Sequence, residues 1–159
     1  MRRILSILLE NESGALSRVI GLFSQRGYNI DSLTVAPTED NKISRLTIQT
    51  FGNKKTIEQI EKQLQKLIDV YQVIEITNKN YIEREILLIK IKIKDFKNLH
   101  KINQLMEIYH GILIDYSLER YIIQITGTNH IIDSFLKIIK KSFKIIESSR
   151  SGVISIDCC

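Results

Sequence analysis

Cysteine, proline and tryptophan are almost missing from this chain of 159 residues, which contains two, one and none of them. The two cysteines, Cys158 and Cys159, are adjacent at the C-terminal end, so they form neither a disulfide framework nor a metal site of ordinary ligand spacing. We interpret them as an incidental tail and predict no metal on this chain. One proline and seven glycines also exclude fibrous and low-complexity classes, so an ordinary folded protein is expected.

Long apolar runs are missing as well. Runs such as 86–89 and 122–125 have the length of strands, far below the roughly 18 to 20 residues that cross a bilayer. We therefore expect no membrane association. The first residues, Met1, Arg2 and Arg3, lead directly into a strand pattern without a cleavage site, so we expect no secretory signal and a cytoplasmic location.

The positive charge of the chain is modest. It has 23 Lys+Arg against 18 Asp+Glu, a net charge of +5, with 43% hydrophobic and 26% charged residues. Many lysines alternate with isoleucine or lie on the polar faces of predicted helices, which is typical of a solvated surface rather than of a nucleic-acid footprint. We therefore expect no nucleic-acid partner.

Apolar spacing divides the first half of the chain into four strands and two helices. Helical spacing begins at Ala15 and ends near Arg26, before Gly27, while Pro37 and a turn-rich segment close a β-hairpin arm. On the return arm, apolar residues alternate with polar ones, so one face of the sheet is predicted to be polar. The predicted elements are strand 3–9, helix 15–26, strand 30–35, strand 45–49, helix 57–68 and strand 70–76.

The second half of the chain repeats this order. Its predicted elements are strand 86–93, helix 99–109, strands 112–116 and 121–126, helix 131–139 and strand 144–147. Thr128 or Asn129 is the expected cap of the last helix. The order βαββαβ is the ferredoxin-like arrangement, in which both helices pack on one face of an antiparallel sheet. We predict an α+β fold of two such domains, 1–77 and 78–159, with a linker near 77–83.

The junction between the first strand and the first helix carries the chemistry most suited to a ligand. Backbone N–H groups at a helix start lack intrahelical partners and favour a carboxylate or phosphate. Gly14 allows close approach to this backbone, and Asn11 offers both a donor and an acceptor. The alternative is purely structural: Ser13 or Asn11 caps the helix and Gly14 only turns the chain.

Several segments of the chain resemble a known family. The segments are 2–6, 10–19, 23–30, 32–36, 44–49, 58–64, 66–70, 83–85 and 150–153. The first domain resembles the ACT domain, which binds amino acids, and the set of segments resembles the small, regulatory subunit of acetolactate synthase. The resemblance is strong to about Val70 and thin between Ile93 and Ser149.

This resemblance implies a regulatory protein without catalytic residues or a cofactor of its own. Its partner is the large catalytic subunit, which uses thiamine diphosphate, Mg²⁺ and FAD; the small subunit raises the activity of that partner and makes it sensitive to valine. The resemblance also implies a homodimer with valine at the interface. The implied valine-binding residues are Asn11, Glu12, Ser13, Gly14, Ala15 and Leu16, with Asn29 and Ile30 from the partner protomer.

On physical grounds, the N–H groups of Gly14, Ala15 and Leu16 suit the valine carboxylate, and the amide oxygens of Asn11 and Asn29 suit its ammonium group.

Three other functions are weighed against regulation of this enzyme. Catalysis by the chain alone is disfavoured because His100, His110 and His130 are far apart in sequence and lack ligand spacing. An RNA-binding module shares the strand order, but the strand at 45–50 carries no aromatic ladder for base stacking. A stand-alone amino-acid sensor with a different partner remains open.

Overall fold

The structure is a computed structural model that describes residues 1–93 and 96–158, without the side chains of residues 96 and 97. It contains two compact units: Met1–Ile82 together with the C-terminal residues from Val153, and Glu83–Gly152. The sequence predicts domains 1–77 and 78–159. The structure differs from this prediction because the C-terminal residues from Val153 belong to the first unit. Cys159 lies outside the described residues, and Cys158 is a half-buried free thiol.

The first unit is a four-stranded antiparallel sheet with two helices. Its strands follow the order β2-β3-β1-β4, so β2 and β4 are its edges and β1 pairs antiparallel with both β3 and β4. The elements are β1 (Arg2–Glu10), α1 (Ala15–Gln25), β2 (Ser32–Pro37), β3 (Ile43–Phe51), α2 (Lys54–Leu64) and β4 (Val70–Glu75).

Both helices of the first unit cover one face of its sheet. Alternate residues of β1 and β3 point to this face, because successive side chains of a strand point to opposite faces. The strand residues pack with residues that recur at helical spacing on α1 and α2, which explains the two periodicities in the sequence. The core consists of Leu5, Ile7, Leu9, Ala15, Val19, Phe23, Leu46, Ile48, Ile57, Ile60, Leu64 and Val73.

The second unit repeats the architecture with the sheet order β6-β7-β5-β8. The Thr128 side chain, rather than Asn129, caps α4 by accepting the Ile131 N–H at 3.4 Å. The elements are β5 (Tyr81–Lys92), α3 (Phe96–Tyr109), β6 (Ile112–Ser117), β7 (Arg120–Gly127), α4 (Asn129–Ser142) and β8 (Lys144–Arg150). The α+β fold of two ferredoxin-like βαββαβ units is therefore confirmed.

Several predicted boundaries differ from the structure; for example, β5 begins at Tyr81, within the predicted linker, rather than at residue 86. The helix predicted over 57–68 ends at Leu64, because Leu67 donates its N–H to Leu64 at 3.0 Å and Val70 donates to Leu67 at 3.1 Å, a tighter turn than an α-helix makes. Ile68 leaves the helical stripe and is 89% exposed. A further strand, β9 (Ile154–Asp157), was not predicted; it pairs with β5, and Cys158 N–H donates to the Asn80 carbonyl at 2.8 Å.

The polar face of the first sheet is more buried than its sequence indicates. Thr47 and Gln49 of β3 are polar, as predicted, but only 3% and 7% exposed. The pKa of Asp157 on β9 is lowered chiefly by its hydrogen bond from Lys79 and further by Arg45 of β3. Because Thr47 and Gln49 are buried, this face is not an open platform for a ligand.

Candidate amino-acid-binding site

The loop between β1 and α1 leaves the start of α1 open. Gly14 is the N-cap residue in the left-handed conformation, with φ 92° and ψ −19°, and no side chain among the described residues caps the helix. The interpretation in which Ser13 or Asn11 caps α1 is therefore wrong. The first intrahelical bond runs from Arg18 N–H to the Gly14 carbonyl at 3.0 Å. The first turn of α1 itself contains no acidic residue to balance the positive end of the helix dipole.

Of the three backbone N–H groups predicted to bind the ligand carboxylate, that of Ala15 is not free. Ala15 N–H is already used, because it donates to the Glu12 carbonyl at 3.3 Å. Ala15 is also buried, whereas Gly14 is exposed and Leu16 is half-buried against the first core. The N–H groups of Gly14 and Leu16 are therefore better candidates than that of Ala15 for an external carboxylate.

Asn11 is held with its amide oxygen available. Its backbone N–H donates to the Lys42 carbonyl at 2.8 Å, and its Nδ2 donates to the Asn41 carbonyl at 2.8 Å. Both bonds tie the loop to the β2–β3 hairpin. Because a carbonyl oxygen can only accept, these contacts also fix which atom of the Asn11 amide is nitrogen. Oδ1 of Asn11 therefore remains as an acceptor suited to an ammonium group.

Asn29, beyond the other end of α1, also has a hydrogen-bonded amide nitrogen and an available amide oxygen. The helix ends with a left-handed Gly27, and Tyr28 N–H donates to the Phe23 carbonyl at 2.9 Å, the bond pattern of a Schellman motif. Asn29 Nδ2 then donates to Asp31 Oδ1 at 3.0 Å, which leaves Oδ1 of this exposed side chain as an acceptor. Ile30 is half-buried against the core.

The two asparagines lie at opposite ends of a helix. The 11 residues of α1 span about 16 Å, given a rise of about 1.5 Å per residue. A ligand as small as an amino acid does not reach both ends. A site that uses Asn11 and Asn29 together therefore requires a second chain.

An ion pair at the loop was missed by the sequence analysis. Arg18 forms a bidentate ion pair with Asp69. Its Nε donates a hydrogen bond to Oδ2, and its Nη2 donates to Oδ1 at 2.7 Å. The Asp69 side chain is only 6% exposed, and its backbone carbonyl accepts the Glu10 N–H at 2.8 Å. Asp69 thus joins the end of β1 to the first turn of α1.

Arg18 and Asp69 each stabilise the charged form of the other. The hydrogen bond from Arg18 lowers the pKa of Asp69, and the hydrogen bond to Asp69 raises the pKa of Arg18. Since the folded-state pKa of the carboxyl is depressed, the stabilisation is present above its unfolded value of about 3.9 and disappears as the pH falls through the folded value. Both partners of this ion pair are therefore charged at neutral pH.

The second unit holds a comparable cluster in the segments 83–85 and 150–153, to which the sequence analysis gave no role. Arg150 donates from Nε and Nη2 to both oxygens of Glu85, each at 2.6 Å, and from Nη1 to Asp133 of α4 at 2.8 Å. Glu85 is 4% exposed. This cluster joins β5, β8 and α4, so its role in the described structure is to hold these elements together.

Other kinds of site receive little support from the described residues. Among residues 1–93 and 96–158, no group of three or more His, Cys, Asp or Glu side chains is placed to hold a metal ion. The aromatic residue of β3, Phe51, is 60% exposed, but it stands at the end of the strand beside the buried Gln49. None of the helices in this part of the chain has both the length and the apolar character needed for a membrane crossing.

A ferredoxin-like unit with an open, glycine-containing β1–α1 loop defines a regulatory domain of the ACT type. Residues 5–72 match the family described as AHAS small subunit-like ACT domain, and residues 84–158 match the family described as small subunit of acetolactate synthase. The chain belongs to the acetolactate synthase small subunits.

Relatives match along almost the whole chain. The acetolactate synthase small subunit of Buchnera aphidicola subsp. Schizaphis graminum is 58% identical over 156 residues, 98% of each chain. The acetolactate synthase isozyme 3 small subunit of Escherichia coli K12 is 54% identical, over 98% of this chain and 95% of that one. The crystal structure of the small subunit from Thermotoga maritima has a TM-score of 0.91 at 38% identity, covering 100% of this chain and 98% of that one. The protein is thus the regulatory rather than the catalytic kind of subunit.

Proposed function

We propose that this chain binds valine at the β1–α1 loop and thereby controls a large catalytic subunit of acetolactate synthase in branched-chain amino-acid biosynthesis. On this proposal the small subunit activates the large one, valine reverses the effect, and both proteins act in the cytoplasm. The chain itself carries no cofactor; thiamine diphosphate, Mg²⁺ and FAD belong to the large subunit.

One observation carries the valine site: the open start of α1 at Gly14 lies in the same loop as an asparagine whose amide nitrogen is used and whose oxygen is available. A free amino acid presents a carboxylate and an ammonium group on one carbon atom, and this loop offers donors for the first and an acceptor for the second. Burial of the valine isopropyl group adds roughly 1.5 to 3 kcal/mol.

The dimer supplies the second half of the site. β2 is an edge strand, and an edge strand has backbone groups without partners in its own sheet. Val35 on this strand is 42% exposed. Pairing of β2 with β2 of a second copy covers the edge and brings Asn29 and Ile30 of that copy to the loop of the first. Valine in such a seam stabilises one arrangement of the dimer, and coupling of about 1 to 3 kcal/mol is enough for feedback control.

Calorimetric titration of the purified chain tests the ligand. Valine is expected to bind, and alanine, which lacks two methyl groups, is expected to bind about tenfold more weakly. Reconstitution with the large subunit then tests control, because activity is expected to rise with this chain and to fall again with valine. Absence of valine binding refutes the effector site. Pull-down of a different partner in place of the large subunit supports the stand-alone sensor.

A mixing experiment tests whether the site is shared between protomers. Asn11→Ala and Asn29→Ala each remove one amide oxygen, so each variant alone is expected to bind valine poorly. A mixed dimer of the two contains one site with both asparagines intact, provided that they come from different chains. Recovery of binding on mixing is the expected result. If mixing restores nothing although the subunits exchange, the two asparagines do not form a site shared between protomers.

A further inference from the structure

Arg18 has one guanidinium nitrogen that the ion pair with Asp69 does not use. Nε and Nη2 hold the carboxylate of Asp69, whereas Nη1 has no hydrogen-bond partner among the described residues. A Cβ atom built on Gly14 lies 3.7 Å from this Nη1. The nitrogen therefore faces the space that glycine leaves open above the loop.

We infer that Arg18 is a ligand-contact residue of this site, whose Nη1 receives the carboxylate of the bound amino acid together with the N–H groups at the start of α1. The inference rests on the proposed valine site and adds a residue to it. Arg18 follows Gly14 by four positions, which places its side chain above the same first turn of α1.

The acidic side chains around the loop favour a positive charge at the ligand carboxylate. Glu10 and Glu12 lie close enough to Arg18 to contribute to its raised pKa, after the dominant hydrogen bond to Asp69. Glu10 is partly engaged, because it accepts a hydrogen bond from Tyr71 Oη at 2.9 Å. Without the guanidinium, an incoming carboxylate meets these acidic side chains with only the partial charge of the helix end to attract it.

The anchor on Asp69 keeps the guanidinium in place before a ligand arrives. A long side chain loses rotamer freedom when it is fixed, and here the bidentate contact with the buried Asp69 has already removed that freedom. The arrangement therefore selects for ligands with a free α-carboxylate. It predicts strong discrimination between valine and valinamide, which have the same side chain and ammonium group but differ at the carboxylate.

Calorimetric titration with these two ligands tests the inference, at a pH where both are ammonium ions. The full chain is expected to prefer valine. Arg18→Gln is expected to weaken valine binding by about ten- to a hundredfold, the range for a hydrogen bond to a charged group, and to leave valinamide binding within about twofold. Arg26→Gln is the matched control, because it makes the same charge change on the same helix about 12 Å away and is expected to change neither affinity.

Each outcome bears on a different claim. If the unmodified chain binds no amino acid, the proposed function fails and this inference fails with it. If it binds valine but Arg18→Gln keeps the same valine to valinamide ratio, only the role of Arg18 is refuted. Equal losses in Arg18→Gln and Arg26→Gln refute it too, since they indicate a long-range charge effect.

A second variant covers the case in which Arg18→Gln does not fold. Arg18→Lys keeps a positive charge opposite Asp69 but has no second terminal nitrogen for the ligand, so the valine to valinamide ratio is expected to fall partway. In the unmodified chain, added salt is expected to weaken valine binding more than valinamide binding. An unchanged ratio in both measurements overturns the inference.

Discussion

Replacement of Gly14 by aspartate puts a carboxylate at the position proposed for the carboxylate of valine. Gly14 has φ 92°, a conformation that costs about 1–3 kcal/mol for a residue with a side chain. Gly14→Ala carries this strain without the charge, and its Cβ meets Arg18 Nη1 at an ordinary contact distance of 3.7 Å. The comparison of the two variants therefore separates charge from backbone strain.

The size of the charge effect follows from Coulomb's law. Two unit negative charges about 4 Å apart repel by about 1 kcal/mol in water and about 4 kcal/mol at the effective dielectric constant of a protein surface. Valine binding to Gly14→Asp is thus expected to weaken by roughly five- to several-hundredfold relative to Gly14→Ala. The carboxylate at position 14 also lies beside Arg18 and competes for its guanidinium, which acts in the same direction.

Calorimetry of the unmodified chain and both variants measures these affinities, and thermal unfolding measures the strain that the variants share. Undiminished affinity of both Gly14→Asp and Gly14→Ala for valine contradicts the placement of the ligand carboxylate at this loop. A loss of binding as complete in Gly14→Ala as in Gly14→Asp contradicts the electrostatic reasoning, because the bare backbone then matters more than the charge.

Further predictions concern stability. Arg150→Met leaves Glu85, 4% exposed, without its counter-charge and is expected to lower the free energy of unfolding by about 3 kcal/mol in urea titration. Addition of Glu85→Gln is expected to recover part of this loss; a loss below about 1 kcal/mol contradicts the buried-pair interpretation. Gly21→Ala in α1, with open space around its Cβ, is expected to raise stability by about 0.5–1 kcal/mol. Gly111→Ala places a Cβ 2.7 Å from Ile125 Cδ1 and is expected to lower stability by about 1–3 kcal/mol. Equal signs for the two glycine variants in thermal unfolding contradict this reasoning.

The secondary structure could be predicted well because its signals are local. Apolar residues at helical spacing on α1, such as Val19 and Phe23, are the residues that the structure buries. Alternation along β3 likewise identifies the face that packs on the helices. Prediction failed where the pattern continued beyond the element: Leu67 keeps the rhythm of α2, but the chain has already turned at Leu64.

The sequence predicts where the candidate site lies but not how its side chains are hydrogen-bonded. Gly14 and Asn11 mark the loop in the sequence, yet the same residues are equally compatible with a capped helix. The structure rules out a side-chain cap, because Gly14 is the N-cap residue and the Asn11 amide nitrogen turns to the Asn41 carbonyl, 30 residues away. The ligand site itself stays a prediction. Hydrogen bonds between distant segments depend on strand register, and register is a property of the folded sheet.

By itself, the sequence determined the order of elements, the faces they bury and the glycine that opens the first helix, since each of these depends on neighbours a few residues apart. Only the tertiary structure decided that Arg18 meets Asp69, that Arg150 meets Glu85, and that a short C-terminal strand returns to the first unit. The physical reason is that an ion pair requires two side chains within about 4 Å. Separations of 51 and 65 residues bring them that close only after the sheets have formed.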